Sequence, residues 1–177
     1  VLYLNNSWEW SGGYSQYLTW AGYGKAPIPR IDGYSNFETF VSNYMKSDSA
    51  KAMYYKHIEY IVSRTNTITG KPYKEDPAIF SWQIANEPRP FGKDNKELFA
   101  EWISNSASLI KSIDPNHMVS IGSEGKYGCQ VDIQLWKELG KLEQIDYMNI
   151  HIWPHTWRWV SKEESEPIND IEQGIES

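Results

Sequence analysis

The 177-residue chain has very little cysteine and no concentration of positive charge. Cys129 stands alone, so the chain can form no internal disulfide and no cysteine-based metal site. The formal net charge is −6, and the lysines and arginines do not cluster. A protein that binds nucleic acid or an anionic membrane usually carries a basic patch, so we predict neither as a partner.

Long apolar runs are missing as well. No stretch approaches the roughly 20 residues that a membrane-spanning helix needs. The N-terminal residues also lack the charged region and apolar segment of a signal peptide. The chain opens directly on a strand-like apolar run at residues 1–4. We therefore expect residues 1–177 to form a single domain that looks cut at its start.

Several catalytic motifs are absent from the sequence. There is no glycine-rich phosphate loop and no Gly-x-Ser-x-Gly nucleophile elbow. His151, His155 and Glu124 are residue types that could bind zinc, but nothing in their spacing is specific for a metal. We predict no metal site.

Aromatic residues, by contrast, are abundant. The chain has nine Trp and twelve Tyr, and aromatic residues make up 15% of it. Flat aromatic faces suit the apolar faces of sugar rings, and their polar edges can hydrogen-bond to sugar hydroxyls. Part of this set must form a large aromatic core. Two of the tryptophans, Trp8 and Trp10, share a loop that could form an exposed platform, and of these we assign Trp10 to the core.

Residues 79–89 are the most informative stretch. They begin with apolar, β-favouring residues and end in a polar cluster closed by two prolines, which cannot donate to a β ladder. Asn86, Glu87 and Arg89 are therefore expected where a buried strand emerges into a loop. Catalytic groups lie at that strand end in an α/β barrel. From these residues alone, a structural salt bridge between Glu87 and Arg89 is an equal alternative.

Strand-like and helix-like segments alternate along the chain. We predict strands at residues 1–4, before Glu87, at 118–121 and at 145–152, and this alternation is typical of parallel βα units. The predicted fold class is α/β: a (β/α)₈ TIM barrel, present only as a partial barrel of about four βα units, because a complete one needs about 250 residues. A partial barrel leaves strand edges unpaired, so the missing strands of the same barrel are an expected partner.

The helices have recognisable starts. Candidate N-cap residues precede three of them: Asn36 for residues 37–45, Ser47 or Ser49 for the next helix, and Asp94 for a helix ending near residue 113. Shorter helices are predicted at residues 132–139 and from about residue 168. Residues 22–34 are rich in Gly and Pro and are predicted to form a loop.

The predicted strand ends offer carboxylates and aromatic rings for chemistry. This combination is typical of glycoside hydrolysis, in which one carboxylic acid protonates the leaving oxygen and a second carboxylate attacks the sugar or activates water. Glu87, directly after Asn86, is the best candidate for the general acid. Glu124 also ends a strand, so it is an alternative for the second carboxylate.

The sequence resembles family five of the glycoside hydrolases, a family of retaining barrel enzymes. Residues 86–89, Asn-Glu-Pro-Arg, are similar to the family's general acid/base signature. Further motifs narrow the resemblance to the endo-β-1,4-mannanase subfamily, and they cover nearly the whole chain: Asn5 and Asn6 with the Trp8 loop, residues 64–70, residues 112–117, residues 122–125, and His151 with Trp157.

This resemblance implies a role for each matched position. Glu87 is the general acid/base, and Asn86 binds the sugar 2-hydroxyl beside the cleaved bond. The other implied substrate-binding positions are Trp8 on the glycone side, Arg89 and Glu124 on the aglycone side, His151 in the catalytic hydrogen-bond network, and Trp153 and Trp157 in the cleft.

The chain departs from the family at two points. The family commonly has Tyr where Trp153 stands, and the tyrosine hydroxyl contacts the nucleophile. Because an indole N–H only donates, that contact is expected to be lost or redrawn. The family's nucleophile is a Glu at the end of the seventh strand, whereas this chain is expected to run from the third strand to just past the sixth. The nucleophile is therefore predicted to lie outside the chain, with Glu124 a binding residue.

The resemblance implies a retaining endo-β-1,4-mannanase that acts on mannan, glucomannan or galactomannan without a metal or organic cofactor. Such polymers lie outside the cell, so a secreted or periplasmic location is expected. Two alternatives stay open: a related β-1,4-glucanase, and a catalytically inert sugar-binding fragment.

Overall fold

The computed structural model describes residues 1–157, and its strands form one parallel sheet. In chain order they are β1 (Leu2–Tyr3), β2 (Ser81–Gln83) and β3 (Met118–Ser120). The order in the sheet is β1-β2-β3, with Trp82 opposite both Leu2 and Val119. The predicted parallel βα arrangement is confirmed for these three strands.

Helices precede or follow each strand of the sheet. Within residues 1–157 they are α1 (Gly13–Leu18), α2 (Pro29–Asp32), α3 (Tyr34–Val41), α4 (Asp48–Val62), α5 (Lys96–Ile113) and α6 (Ile133–Leu139). Shorter turns of helix lie between them: a π-helical turn at Thr19–Tyr23 and 3₁₀ turns at Tyr44–Lys46, Tyr73–Glu75, Lys93–Asn95 and Tyr127–Cys129.

The two long helices α4 and α5 pack against each other. Apolar residues recur at helical spacing along α5, and four of them, Phe99, Trp102, Ile103 and Ile110, are buried. Removing each such side chain from water stabilises the fold by about 1.5–3 kcal/mol. This packing is the scaffold that holds the sheet and its loops in place.

Much of the aromatic content forms a core. The rings of Tyr14 and Tyr44 stack with centroids 4.0 Å apart, and the ring of Trp102 meets both edge-on at 5.6 and 5.7 Å. All three side chains are fully buried. The Tyr44 hydroxyl accepts a hydrogen bond from Asn5 Nδ2 (3.2 Å), so this core also supports the loop that follows β1.

The predicted helix starts are correct only for two helices. Ser47 caps α4 by accepting from the Ala50 amide, and Asp132, the first residue of a predicted helix, caps α6 through the amides of Gln134 and Leu135. The Asn36 prediction is wrong, because α3 begins at Tyr34 after Gly33. Asp94 is also not a cap, since a 3₁₀ turn comes first and α5 starts after Asn95.

Residues 22–34 do not form a continuous loop as predicted. They contain the four-residue helix α2, which begins at Pro29. Proline suits the first turn of a helix because its fixed φ is helical and its missing N–H would have no partner there. The Asp32 carboxylate accepts the Ile28 amide at 2.7 Å and stabilises the start of the turn.

The predicted strand at residues 145–152 is not a regular strand. The segment runs beside β3, held by backbone hydrogen bonds from Asp146 to Val119 (3.0 Å) and from His151 to Ser123 (2.9 Å). The Val119 amide, however, donates to the Asp146 carboxylate (2.7 Å) instead of a backbone carbonyl. A side chain therefore replaces one bond of the ladder, and the segment keeps the place of a fourth strand without its regular pairing.

A buried carboxylate joins β2 to the end of α5. Asp114 is fully buried and accepts the Trp82 indole N–H (2.7 Å) and two backbone amides, while His117 Nδ1 lies 2.7 Å from it. Burial by itself raises the pKa of Asp114, but the hydrogen bonds from Trp82, His117 and Asn116 outweigh burial, so its pKa lies below the ordinary value.

Asp114→Asn is expected to lower the free energy of unfolding by about 2–3 kcal/mol at pH 7, because hydrogen bonds to a charged group are lost. A carboxyl with a lowered pKa stabilises the fold above its unfolded pKa, about 3.9, and loses that contribution as the pH falls below it. The difference between wild type and variant should therefore shrink from pH 7 to pH 3 in urea denaturation.

Asp48→Asn is the matched control, since the Asp48 side chain is 98% exposed and its ion pair with Lys51 lies at the surface. Little change is expected for it at either pH. A loss in Asp114→Asn that stays the same at pH 3 would contradict the role given to the ionised carboxylate.

Two further expectations concern helices. In residues 1–157 no helix is both long and apolar enough to cross a bilayer. The helix predicted from about residue 168 lies outside the residues that the structure describes.

Candidate active site

The backbone of Glu87 is held between the chain segments that follow β1 and β3. The Asn86 amide donates to Asn5 O (2.8 Å), and the Glu87 amide donates to Gly122 O (2.9 Å). Parallel pairing thus continues past the end of β2 up to Glu87. This confirms that Glu87 emerges at the C-terminal end of the central strand, with β1 and β3 on either side.

Gly122 lets the segment after β3 approach the central strand closely. Its φ is +88°, and a Cβ atom at this position would lie 1.8 Å from the Ala85 carbonyl oxygen. No other residue fits that contact without moving the backbone. Since Gly122 O accepts the Glu87 amide, the missing side chain is part of what positions Glu87.

Glu87 itself has an uncommon backbone conformation. Its φ is +50°, in the left-handed region that residues with a side chain rarely adopt. The Glu87 carbonyl oxygen accepts a hydrogen bond from the Ser7 hydroxyl, and Glu87 is only 7% exposed. Such conformations persist where surrounding contacts impose them, and they concentrate at functional sites.

Among residues 1–157, three side chains contact the Glu87 carboxylate. Trp8 Nε1 donates to Oε2 at 2.8 Å, and Trp153 Nε1 donates to Oε1 at 2.8 Å. His151 Nδ1 lies 3.0 Å from Oε1. The tertiary fold therefore surrounds one carboxylate with residues from the loop after β1 and from the segment beside β3. It also places Trp153, predicted to lose or change its family contact, directly on Glu87.

Arg89 pairs with Glu124 and not with Glu87. Its Nε lies 2.6 Å from Glu124 Oε2 and its Nη2 lies 2.7 Å from Oε1, which is a two-point ion pair. The alternative of a structural salt bridge between Glu87 and Arg89 is therefore wrong. Both oxygens of Glu124 are occupied by the guanidinium, which does not favour Glu124 as a nucleophile.

Burial dominates the electrostatics of Glu124. The residue is only 2% exposed, and removal from water raises the pKa of its carboxyl above the ordinary value. The Arg89 hydrogen bonds and charge act in the opposite direction and offset only part of that effect. Arg89 is thus the charged partner that the buried Glu124 carboxylate requires.

The Trp8 ring connects this ion pair to Glu87. The Arg89 guanidinium lies 5.0 Å from the ring centroid, within range of a cation–π contact. The ring also meets Phe91 edge-on at 5.6 Å and stacks on Phe37 at 6.4 Å. Trp8, predicted for the glycone side, is therefore in contact with Arg89, predicted for the aglycone side. The division between the two sides stays a prediction.

Every predicted site residue lines a single cleft of about 750 Å³. The residues brought together there are Trp8, Asn86, Glu87, Arg89, Glu124, His151, Trp153 and Trp157. They come from separate segments of the chain, which meet because the strand ends lie along one edge of the sheet. The cleft combines carboxylates with aromatic walls.

Four residues of the cleft were not predicted: Trp10, Tyr34, Thr156 and Tyr127. The assignment of Trp10 to the core is wrong, because it is 53% exposed and lines the cleft. Tyr127 stacks on Trp157 with centroids 4.3 Å apart. The high aromatic content hinted at Tyr34 and Tyr127, and Trp10 shares the Trp8 loop, whereas no signal in the sequence marked Thr156.

In residues 1–157 no group of three His, Cys, Asp or Glu side chains could hold a metal ion. Glu124 is engaged by Arg89, and His151 faces Glu87, so two members of the possible zinc set have other partners.

Residues 1–176 match the family described as GH family 5 beta-mannosidase-like, where GH stands for glycoside hydrolase. The chain belongs to this family. The predicted family is thereby confirmed. Family 5 membership agrees with a carboxylate at a strand end inside an aromatic cleft.

Curated relatives and solved structures that are similar to the chain carry mannosidase or mannanase names. The chain is 33% identical over 170 residues to mannan endo-1,4-beta-mannosidase 1 of Arabidopsis thaliana, and 30% identical over 173 residues to mannan endo-1,4-beta-mannosidase 4 of Oryza sativa subsp. japonica. These matches cover 89% and 91% of the chain but 38% and 35% of the relatives. The chain thus spans little more than a third of their length.

A family 5 mannosidase of Rhizomucor miehei, solved as a mutant with mannosyl-fructose, superposes with a TM-score of 0.80 at 30% identity, over 99% of this chain and 41% of that one. An endo-beta-1,4-mannanase of Thermotoga petrophila superposes with a TM-score of 0.71 at 28% identity, over 88% of this chain and 34% of that one. These neighbours confirm the predicted fold class. The sheet and helices are part of a (β/α)₈ barrel.

Proposed function

We propose that this chain is the acid/base-bearing part of a retaining endo-β-1,4-mannanase that cleaves mannan, glucomannan or galactomannan. The observation that carries the proposal is Glu87, buried at the end of the central strand with both carboxylate oxygens hydrogen-bonded inside an aromatic cleft. The relatives named mannan endo-1,4-beta-mannosidase support mannan as the substrate.

In the first step Glu87 gives its proton to the glycosidic oxygen while the bond between that oxygen and the sugar C1 breaks. A second carboxylate attacks C1 and forms a glycosyl-enzyme intermediate. In the second step Glu87, now ionised, takes a proton from water, the resulting hydroxide attacks C1, and the second carboxylate leaves. Two carboxylates complete this cycle, so the proposal includes no metal or organic cofactor.

The second carboxylate is proposed to come from strands of the same barrel outside these 177 residues. Glu124 is a poor nucleophile because Arg89 binds both of its oxygens. We assign Glu124 and Arg89 instead to sugar binding, since the pair presents charged hydrogen-bonding groups to the cleft. Asn86, half-buried beside Glu87, is proposed to bind the 2-hydroxyl of the sugar at the cleaved bond.

The Tyr127–Trp157 stack forms an aromatic wall of the cleft. Trp157→Ala is expected to raise KM for mannohexaose by about 2- to 10-fold, the worth of one aromatic contact, with kcat nearly unchanged. The wall contacts the substrate equally in the ground and transition states, so only binding is affected. Trp20→Ala is the control, because Trp20 is 64% exposed and lies outside this cleft. A fall in kcat at constant KM would contradict this role.

Hydrolysis of mannohexaose tests the proposed function. The chain is assayed alone and as a completed barrel, meaning this chain joined to the strands of the Rhizomucor miehei mannosidase that lie outside its 41% match. NMR follows the anomeric form of the first products. Cleavage by the completed barrel with β products supports a retaining mechanism, whereas α products would overturn it.

The same assay separates the alternatives. Faster cleavage of cellohexaose than of mannohexaose would identify a β-1,4-glucanase. Binding of mannohexaose without cleavage by either protein would identify a sugar-binding fragment. Cleavage by the chain alone would place a nucleophile within the 177 residues, and Glu124 would then be the first residue to replace.

The location of the enzyme is part of the proposal. Mannans are polymers outside the cell, so a secreted or periplasmic enzyme is proposed. Detection of the protein in culture medium or periplasmic extract by an antibody against this chain tests the location. Retention of the protein in the cytosolic fraction would contradict it.

A further inference from the structure

We infer that Trp8 and Trp153 are positioning residues for proton transfer by Glu87. The inference rests on the proposed role of Glu87 as the acid/base. Trp8 Nε1 donates to one carboxylate oxygen and Trp153 Nε1 to the other, each at 2.8 Å. Sequence resemblance points to sugar binding for both tryptophans, and the structure adds a direct contact with the reacting carboxylate.

An indole N–H can donate a hydrogen bond but cannot accept one. Two such donors, one on each oxygen, therefore suit a carboxylate better than a carboxylic acid, in which one oxygen carries a proton. Together they also fix the rotation of the carboxyl group. The orientation of Glu87 toward a glycosidic oxygen is thus set by the two rings.

His151 differs from the two tryptophans in this respect. Its Nδ1 lies 3.0 Å from Oε1, the oxygen that Trp153 also contacts. An imidazole nitrogen can donate to an ionised Glu87 or accept from a protonated one, so His151 is compatible with both states. In the part of the chain that the structure describes, the other charged groups that line the cleft beside Glu87 are Arg89 and Glu124, which are paired with each other. The indoles are therefore the contacts that distinguish the two states.

This difference matters in the first chemical step. As Glu87 gives up its proton, negative charge develops on its carboxylate. The two hydrogen bonds that the indole N–H groups donate to this carboxylate therefore strengthen. Interactions that are stronger in the transition state than in the ground state accelerate a reaction. Trp8 and Trp153 should therefore speed cleavage wherever the leaving oxygen needs a proton.

The surroundings of each ring support this role. Trp8 is immobilised by the Arg89 guanidinium at 5.0 Å and by Phe91 at 5.6 Å. Trp153 belongs to the segment beside β3 and is 50% exposed, so its N–H reaches Glu87 from the rim of the cleft. At the position where the family commonly has a tyrosine, the Trp153 indole N–H contacts the proposed acid/base.

Substrates with different leaving groups test the inference in the completed barrel. Mannohexaose has a poor leaving group that needs a proton, whereas 2,4-dinitrophenyl β-mannobioside has one that leaves without it. Trp153→Phe and Trp8→Phe are expected to lower kcat for mannohexaose by about 10- to 100-fold, the worth of one hydrogen bond to a charged group, with KM little changed. On the dinitrophenyl substrate, kcat/KM should fall by less than about 3-fold. Glu87 gives no proton to this leaving group, so no negative charge develops on its carboxylate and the lost hydrogen bond matters little.

Activity on the dinitrophenyl substrate also shows that each variant is folded. Trp20→Phe is the control and should match wild type on both substrates. Equal losses on the two substrates, or no loss on mannohexaose, would overturn the inference. Glu87→Gln separates the two proposals: if it lowers kcat/KM for mannohexaose but not for the dinitrophenyl substrate, while the Trp variants show no such difference, the acid/base assignment stands and the positioning role fails. If Glu87→Gln shows no such difference, the proposed function itself fails.

Discussion

Glu87→Gln is expected to reduce the hydrolysis of mannohexaose by the completed barrel by about 10²- to 10⁴-fold, the usual contribution of general acid–base catalysis. The amide neither gives a proton to the glycosidic oxygen nor takes one from water. It has nearly the same shape as the carboxyl, so it can occupy the same position at the end of β2. The measurement is kcat and kcat/KM with mannohexaose at fixed pH.

Azide provides a second measurement on the same variant. Azide attacks a glycosyl-enzyme intermediate without a general base, so it should restore turnover of 2,4-dinitrophenyl β-mannobioside by Glu87→Gln and release a β-mannobiosyl azide. Glu138→Gln on α6 is the matched control, because Glu138 is exposed and lies outside the cleft. If both variants retained wild-type activity on mannohexaose, Glu87 would not be the acid/base.

Arg89→Met is expected to lower the free energy of unfolding by about 3–5 kcal/mol at pH 7, because it leaves the buried Glu124 carboxylate without its partner. Methionine keeps most of the apolar length of the side chain but none of the hydrogen bonds at 2.6 and 2.7 Å. Chemical denaturation of the chain measures the loss.

The pH dependence of this loss identifies its cause. Burial raises the pKa of Glu124, and loss of Arg89 raises it further. A carboxyl whose folded pKa is raised does not destabilise the fold below its unfolded pKa, about 4.3, and destabilises it increasingly as the pH rises through the folded pKa. The loss caused by Arg89→Met should therefore be smaller at pH 4 than at pH 7.

A double variant completes this test. Arg89→Met combined with Glu124→Leu removes both charges and should recover most of the stability lost by Arg89→Met alone, because an apolar pair has no charge to remove from water. Arg30→Met is the control, since Arg30 is an exposed arginine on α2. A loss that is equal at both pH values, or is not recovered in the double variant, would show that packing and not charge is responsible.

The catalytic candidates could be predicted because their signals are local. Glu87 follows an apolar run and precedes a proline, so its place at a strand end depends on neighbours in the sequence. The burial of Phe99 and Trp102 on α5 was likewise predictable from helical spacing. The predictions of Asn36 and Asp94 as N-caps were wrong because several neighbouring residues could each have been the first residue of the helix. Small differences in backbone geometry decide which of them is.

The side-chain partners within the site could not be predicted in the same way. Arg89 lies two residues from Glu87 and thirty-five from Glu124, yet it pairs with Glu124. Trp10, in the same loop as Trp8, lines the cleft instead of the core. These outcomes depend on which segments the sheet brings side by side. Local sequence patterns do not predict which distant segments will be neighbours.

The sequence by itself determined the family, the parallel βα arrangement, most of the described residues that line the cleft and the identity of Glu87 as the acid/base candidate. These features follow from hydrophobic periodicity and from short motifs. Only the tertiary structure decided that Arg89 holds Glu124, that residues 145–152 run beside β3 without regular pairing, and that two indole N–H groups meet the Glu87 carboxylate. The physical reason is that hydrogen bonds act over about 3 Å, so their partners are fixed by the packing of distant segments and not by neighbours in sequence.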